Sequence, residues 1–339
     1  MSGTPAQTAK PYGEISVIGA GAWGTALAAV AAAATGKALI WAREPEAVAA
    51  INERHENTIF LPGIALPAGV EATGDLARAA HAEALLVAAP AQHLRSTLRA
   101  LRPLAGKAVP LVLCAKGIET ATGKLVSEIL AEEVPGAEPA ILSGPSFARD
   151  AARGMPTLVT VAAKREIAER LQATLRAARG FRPYVSEDIT GVALGGAAKN
   201  VYAIACGVVE GGGYGESARA GLLARGFAEL LRLGAALGAR PETLMGLSGL
   251  GDLVLTATSV SSRNFAFGAA IGSGKKPAEL LAPGKPLAEG AATAPALVAR
   301  GLRHNVELPI AEAVAGLLSG KFDVAGAAEW LLSRPLGME

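Results

Sequence analysis

Ile15-Ser16-Val17-Ile18-Gly19-Ala20-Gly21-Ala22-Trp23-Gly24 is the stretch on which the fold turns. A short apolar run closes on a G-x-G-x-x-G pattern, and an uncharged, alanine-rich segment follows as far as Gly36. Glu14–Ile18 therefore reads as a strand, and Gly24–Ala34 as a helix ended by Gly36. Gly19 permits the tight turn, Gly21 lets a pyrophosphate approach the backbone, and Gly24 lets helix and strand pack closely. The amides that open the helix supply the anion site. The glycine pattern alone would also suit FAD or a purely structural turn. Its place between a strand and a helix points to a bound dinucleotide. Ile15 to Gly36 carries no charge and is long enough to imitate a membrane span. Its three glycines and its alanine-rich second half argue instead for a strand, a turn and a buried helix, so no membrane insertion is expected.

The same rhythm extends outward. Ala38–Arg43, Ala84–Ala89, Val109–Ala115, Ala140–Ser143, Thr157–Ala163 and Arg182–Val185 read as strands. Between them, helices open at Pro45 and at Pro145-Ser146-Phe147, and span Gln92–Leu101, Lys124–Val134 and Arg165–Arg179. Such alternation predicts a Rossmann-type, doubly wound α/β domain: a mostly parallel sheet with helices on both faces. After Ile189 only helical patterns remain: Val192–Val209, Glu216–Leu237, Pro241–Leu247, Asn264–Ile271, Gly290–Arg300 and Ile310–Leu318. The expected organisation is a loose tail over 1–12, the sheet domain over 13–189 and an all-helical domain over 190–339. Proline and glycine punctuate Pro277–Pro286, which reads as a mobile surface loop.

Apolar residues make up 51% of the 339 residues and aromatics only 4%, so the cores must be built largely from Ala, Val and Leu. Thirty-two basic residues stand against 30 acidic ones with no block of like charge, which leaves no electrostatic footprint for nucleic acid or membrane surfaces. Cys114 and Cys206 lie in apolar runs and read as buried free thiols of a reducing, cytoplasmic compartment. The four histidines show no ligand spacing, and no metal site is expected.

Several polar residues stand out from this apolar background. At the end of the second strand, Arg43-Glu44 sits where a doubly wound domain meets the adenosine ribose; Arg43 leans the cofactor toward NADP without excluding NAD. An ordinary solvated pair is the plain alternative. Lys116-Gly117 and Ser143-Gly144-Pro145-Ser146 follow strand ends, where ligands of such sheets gather. Lys199 lies in Gly195-Gly196-Ala197-Ala198-Lys199-Asn200. Two glycines inside a helix are each unfavourable by about 1 kcal/mol relative to alanine, which implies that something approaches this helix closely. A lysine in such a desolvated niche has its ammonium disfavoured and becomes a proton donor near neutral pH. Asn200 beside it offers a donor and an acceptor. Asp252 falls in the glycine-rich turn Gly249-Leu250-Gly251-Asp252, and Ser262-Arg263-Asn264 precedes a helix as a candidate phosphate cradle. A turn aspartate and an N-cap serine are the structural alternatives.

Taken in order, these pieces make the chain resemble the bacterial-type NAD(P)-dependent glycerol-3-phosphate dehydrogenases. The shared runs are Gly19-Ala-Gly-Ala-Trp-Gly-Thr-Ala, Leu61-Pro-Gly, Ala89-Pro-Ala-Gln-His-Leu-Arg and Lys116-Gly-Ile-Glu. Leu142-Ser-Gly-Pro-Ser-Phe-Ala, Leu194-Gly-Gly-Ala-Ala-Lys-Asn-Val, Ala218-Arg-Ala-Gly-Leu-Leu-Ala-Arg-Gly, Gly246-Leu-Ser-Gly-Leu-Gly-Asp-Leu and Ser262-Arg-Asn complete them. The resemblance implies reduction of dihydroxyacetone phosphate to sn-glycerol 3-phosphate with NADPH or NADH, for glycerophospholipid synthesis, by a cytoplasmic homodimer. It makes Lys199 the proton-transferring lysine, with Lys116 and Asp252 as catalytic partners. It gives Lys116, Gly144, Ser146, Lys199, Asn200, Asp252, Ser262, Arg263 and Asn264 to the substrate. It gives Gly19, Gly21, Ala22, Trp23, Gly24, Arg43, Glu44, Lys116, Ala148, Arg263, Leu287 and Glu289 to the cofactor. Two positions depart from the family pattern: Ala193 stands in place of a glutamate and Ala257 in place of a cysteine.

Overall fold

A computed structural model describes residues 9–106, 108–282, 284 and 288–335. The chain divides into two compact units, Met1–Ala115 with Val126–Val192, and Lys116–Leu125 with Ala193–Glu339.

The first unit is built on one eight-stranded sheet. Its strands are β1 (Ile15–Ile18), β2 (Ala38–Trp41), β3 (Val70–Thr73), β4 (Ala84–Val87), β5 (Leu111–Leu113), β6 (Pro139–Ser143), β7 (Thr157–Ala162) and β8 (Phe181–Ser186). They lie in the order β3-β2-β1-β4-β5-β6-β7-β8. Every neighbouring pair is parallel except β6 with β7. The strands β1 and β4 are buried at every position because helices cover both faces, whereas the edge strand β8 alternates between buried and exposed. Strand order reverses at β1, which pairs β2 on one side and β4 on the other. The crevice beyond the carboxyl ends of these strands is where doubly wound sheets take their ligands. The helix Ala22–Thr35 leaves β1 directly into that position, and its N-cap is Gly21. Its run of small side chains lets it bury Ala26, Leu27, Ala28, Ala29, Ala31 and Ala32 against the sheet without large side chains to fill the gap.

The second unit is helical among its described residues. Its centre is the helix Ile189–Gly211, the one described helix long and apolar enough to cross a membrane; 94% of its most apolar window is buried inside the protein. The helix Arg263–Gly272 lies backbone to backbone on it. A Cβ at Gly268 would come within 2.0 Å of the Ile204 carbonyl oxygen, so only glycine permits this approach.

Several features depart from the sequence reading. The strand β3 and the short helix Leu76–Ala79 were not expected, because Val70-Glu-Ala-Thr is too short to show a period of its own. Its placement is tertiary: it pairs with β2, and Asp75 caps the helix behind it through the Ala77 and Arg78 amides. Tyr12, assigned to the tail, is buried, donates its amide to Thr174 Oγ1 at 2.8 Å and stacks under Arg170; residues 1–8 lie outside the described residues.

Lys116–Leu125, expected within the sheet domain, packs with the helical unit instead. Thr120 Oγ1 donates to the Ala292 carbonyl at 3.2 Å and Arg300 Nη1 to the Gly123 carbonyl at 3.0 Å. Within the Pro277–Pro286 loop, Pro277–Leu280 forms a helical turn, while Pro283, Lys285 and Pro286 lie outside the described residues. A further helix, Val324–Leu332, is capped by Asp323 and was not anticipated.

Candidate active site

The glycine-rich segment before Asp252 is not the loose turn that its composition suggests. Leu247–Gly251 winds as a single π-helical turn and runs straight into the helix Asp252–Ala257. Such turns concentrate at functional sites. The turn rests on the bare backbone of the helix Ile189–Gly211: a Cβ at Gly195 would lie 2.6 Å from the Ser248 carbonyl oxygen. The close approach that the Gly195 position implied is thus made by the protein's own chain. Its effect is to set Asp252 over the next turn of the long helix, where Lys199 stands.

Asp252 is completely buried and bridges two lysines. Lys199 Nζ donates to Asp252 Oδ1 at 2.6 Å, and Lys116 Nζ donates to Asp252 Oδ2 at 2.7 Å. Lys199 Nζ also donates to Thr256 Oγ1 at 2.8 Å, one helical turn beyond Asp252. Two ammonium groups therefore share one carboxylate in a site where both lysines are almost wholly enclosed. Burial is the largest influence on Lys199 and pushes its pKa down to about 8; Asp252 and Glu289 oppose the shift and Lys116 reinforces it. The Glu289 carboxyl is pushed up by burial, against the pull of Arg263, Lys199 and Lys116.

A second network ties the surrounding backbone together. Asn200 Nδ2 donates to the Lys116 carbonyl at 3.1 Å, and Asn264 Nδ2 donates to Asn200 Oδ1 at 2.9 Å. The Gly290 amide in turn donates to Asn264 Oδ1 at 2.9 Å. Of the expected phosphate cradle, Ser262 Oγ accepts from the Phe265 amide at 3.2 Å as the cap of the helix Arg263–Gly272. Ser262 and Asn264 are buried and occupied within the fold, while Arg263 extends to the surface at the first turn of that helix.

On the sheet unit, Gly19 adopts φ +110°, and a Cβ at Gly24 would stand 1.9 Å from the Gly19 carbonyl oxygen. Gly21, between them, faces open space: a Cβ there would meet nothing within 4 Å. No described side chain caps the helix that begins with Ala22, Trp23 and Gly24. An exposed backbone turn and uncapped helix amides fit a dinucleotide pyrophosphate. Arg43 and Glu44 form an exposed pair, with Arg43 Nη2 at 3.1 Å from Glu44 Oε1. Gly144 follows β6 at φ +145°, where a Cβ would press within 2.8 Å of Val159 Cα. Ser146 Oγ donates to the Gly144 carbonyl at 2.9 Å, and Ala148 begins the helix Ala148–Ala152. Leu287 lies outside the described residues.

Residues 14–169 match the N-terminal domain of the NAD-dependent glycerol-3-phosphate dehydrogenases, and residues 188–329 match their C-terminal domain. The chain belongs to this family. A glycerol-3-phosphate dehydrogenase [NAD(P)+] from Parvibaculum lavamentivorans is 54% identical to this chain over 329 residues, 97% of this chain and 98% of the relative. Its counterpart from Rhodospirillum rubrum is 54% identical over 327 residues, 96% of this chain and 93% of that one. The crystal structure of glycerol-3-phosphate dehydrogenase from Coxiella burnetii superposes with a TM-score of 0.90 at 33% identity, covering 96% of this chain and 99% of that one.

Two residues that brace the candidate site and the glycine turn escaped the sequence reading. Thr256 is buried against Lys199, and its only signal was its place four residues after Asp252 on the same helix face. Asn57 is fully buried and donates to the Ala20 carbonyl and to Thr25 Oγ1, both at 2.8 Å, which fixes the glycine turn from behind. Nothing local marks it, because its partners lie more than thirty residues away. Ala193, in place of the family's glutamate, is buried, and the helix still directs Lys199 onto Asp252.

Proposed function

We propose that this chain reduces dihydroxyacetone phosphate to sn-glycerol 3-phosphate with NADPH or NADH, with Lys199 as the proton donor, in support of glycerophospholipid synthesis. The observation that carries this reading is the buried cluster of Lys199, Asp252 and Lys116. When bound, the reduced nicotinamide supplies hydride to C2 of the ketone. Lys199, held near pKa 8, is charged at neutral pH and gives up its proton readily, as protonation of the C2 oxygen requires. Asp252 orients Lys199 and balances part of its charge. Lys116, on the other carboxylate oxygen, polarises the carbonyl or binds a substrate hydroxyl. Arg263 and the opening amides of the helix Arg263–Gly272 hold the phosphate, with Ser262, Asn264 and Asn200 shaping the cradle. This anchoring places C2 without taking part in the chemistry.

In the same reading Gly144 and Ser146 contact substrate. Gly19, Gly21, Ala22, Trp23, Gly24, Arg43, Glu44, Lys116, Ala148, Arg263, Leu287 and Glu289 serve the cofactor. The cytoplasmic setting and the homodimer rest on the family resemblance alone.

Phosphate recognition is tested by comparing dihydroxyacetone phosphate with dihydroxyacetone. The phosphorylated ketone should be strongly preferred, and Arg263→Ala should lower kcat/KM for it, because the variant loses the charged donor proposed for the phosphate. Equal kcat/KM for the two ketones would remove the phosphate site from the account. Cofactor choice has a separate test. Arg43 projects from the tip of β2, so Arg43→Ala should weaken NADPH binding more than NADH binding, because only NADPH carries the 2′-phosphate. Parallel losses, measured by fluorescence titration, would leave Arg43 a mere partner of Glu44.

A further inference from the structure

Lys116 reaches the carboxylate of Asp252 from an unusual support. The chain leaves the sheet unit after Ala115, makes a ten-residue excursion and rejoins that unit at Val126. The excursion is closed on itself. Ile118 and Leu125 form an antiparallel bridge, the Glu119 amide donates to the Lys124 carbonyl at 3.0 Å, and the Gly123 amide donates to the Glu119 carbonyl at 2.8 Å. Thr122 Oγ1 donates to Glu119 Oε2 at 2.5 Å inside the same loop. A loop braced in this way moves as one piece, so whatever holds its tip also sets Lys116 at its base.

The tip is held by the helix Glu289–Arg303. Arg300 is buried, a rare position for an arginine, and its Nη1 donates to the Gly123 carbonyl at 3.0 Å. Arg303, one turn on, donates to the Thr122 carbonyl at 3.2 Å, and Thr120 Oγ1 donates to the Ala292 carbonyl at 3.2 Å. The seat is tight: Gly123 has φ +72°, and a Cβ on it would lie 2.9 Å from Arg303 Nη1.

We propose that Arg300 is a positioning residue for the reaction, clamping the loop Lys116–Leu125 so that the Lys116 ammonium stays on Asp252. The inference rests on the functional reading of Lys116 and Lys199 given above and adds the device that fixes their geometry. It has a consequence that a merely structural arginine would not. The charged groups facing Lys199 are Asp252, Lys116 and Glu289. When Lys116 drifts from Asp252, Lys199 loses a repelling neighbour and gains a larger share of the carboxylate, and both changes raise its pKa.

The test compares the pH profiles of kcat/KM for dihydroxyacetone phosphate in wild type, Arg300→Met and Arg300→Lys. Arg300→Met should lose roughly 10–100-fold in kcat, the scale of a small misplacement of a catalytic group. Its alkaline limb should move to higher pH. Arg300→Lys, which keeps a charged donor within reach of the Gly123 carbonyl, should restore most of the rate and the wild-type limb. If Arg300→Met does not fold, the double variant Thr120→Val with Arg303→Met removes the two outer bonds and should show the same limb shift to a smaller degree. A lower rate with an unmoved limb, or an unchanged rate, overturns the clamp. If the wild type shows the limb and Lys199→Met loses about 10²–10⁴-fold in kcat, such a failure leaves the functional reading intact. Loss of that reading would appear instead as a Lys199→Met protein with near-normal kcat.

Discussion

Lys199→Met should fold, bind NADPH with near wild-type affinity and lose about 10²–10⁴-fold in kcat, the range for removal of a general acid. Methionine keeps the length and helix propensity of lysine, so the helix Ile189–Gly211 has no local reason to unwind. The replacement removes a buried charge but leaves Asp252 bonded to Lys116 at 2.7 Å, so the carboxylate retains a partner. The glycine turn at Gly19, Gly21 and Gly24, proposed to hold the dinucleotide, belongs to the other unit. Fluorescence titration with NADPH therefore separates lost chemistry from lost folding. A folded variant with near-normal kcat would transfer the proton-donor role to Lys116.

Asp252→Asn is expected to damage both activity and stability. The amide keeps the shape of the carboxylate but no longer balances two enclosed ammonium groups. Removing one partner of a buried ion pair typically destabilises by about 3–5 kcal/mol. In wild type Asp252 raises the pKa of Lys199 against the larger effect of burial, so its neutralisation should lower that pKa further. The alkaline limb of activity should then shift to lower pH, opposite in direction to the shift expected for Arg300→Met. The stability defect has its own pH signature. A lysine whose folded pKa lies below its unfolded value binds fewer protons in the native state, so stability rises with pH between the two values. Thermal melts of Asp252→Asn should accordingly improve with rising pH, starting below the wild-type value of about 8 and continuing toward the ordinary lysine range near 10.4. A variant with wild-type melting temperature and rate would mean that the two lysines do not depend on this carboxylate.

Wherever function was legible before structure, it was carried by residues whose local context is unusual. The glycines from Gly19 to Gly24 announce a turn that only bare backbone can make, and Gly24 does stand 1.9 Å, in Cβ terms, from the Gly19 carbonyl. Lys199 was conspicuous beside Gly195, and the structure supplies the close approach that such a glycine implies. The sheet was readable for the same reason: buried parallel strands such as β1 and β4 are continuous apolar runs. The strand β3 was not, because a four-residue edge strand owes its form to pairing with β2 rather than to its own pattern. Composition misled at Leu247–Gly251, where three non-glycine and two glycine positions looked like a loop. The π-helical turn there is packed against the helix Ile189–Gly211, where a Cβ at Gly195 would lie 2.6 Å from the Ser248 carbonyl oxygen. Arg300, Asn57 and Thr256 were silent for a shared reason. Each acts through a backbone or side-chain partner distant in sequence, and no single-sequence pattern encodes that distance.

The pH dependence of kcat/KM for dihydroxyacetone phosphate reduction, measured in wild type with saturating NADPH, addresses the central claim most directly. That parameter reports the essential groups of the enzyme before the ketone binds. With Lys199 as the acid, the rate should hold through neutral pH and fall with unit slope above about 8, as the ammonium is lost. A profile that stays level to pH 10 would contradict the assignment of Lys199 as the proton donor.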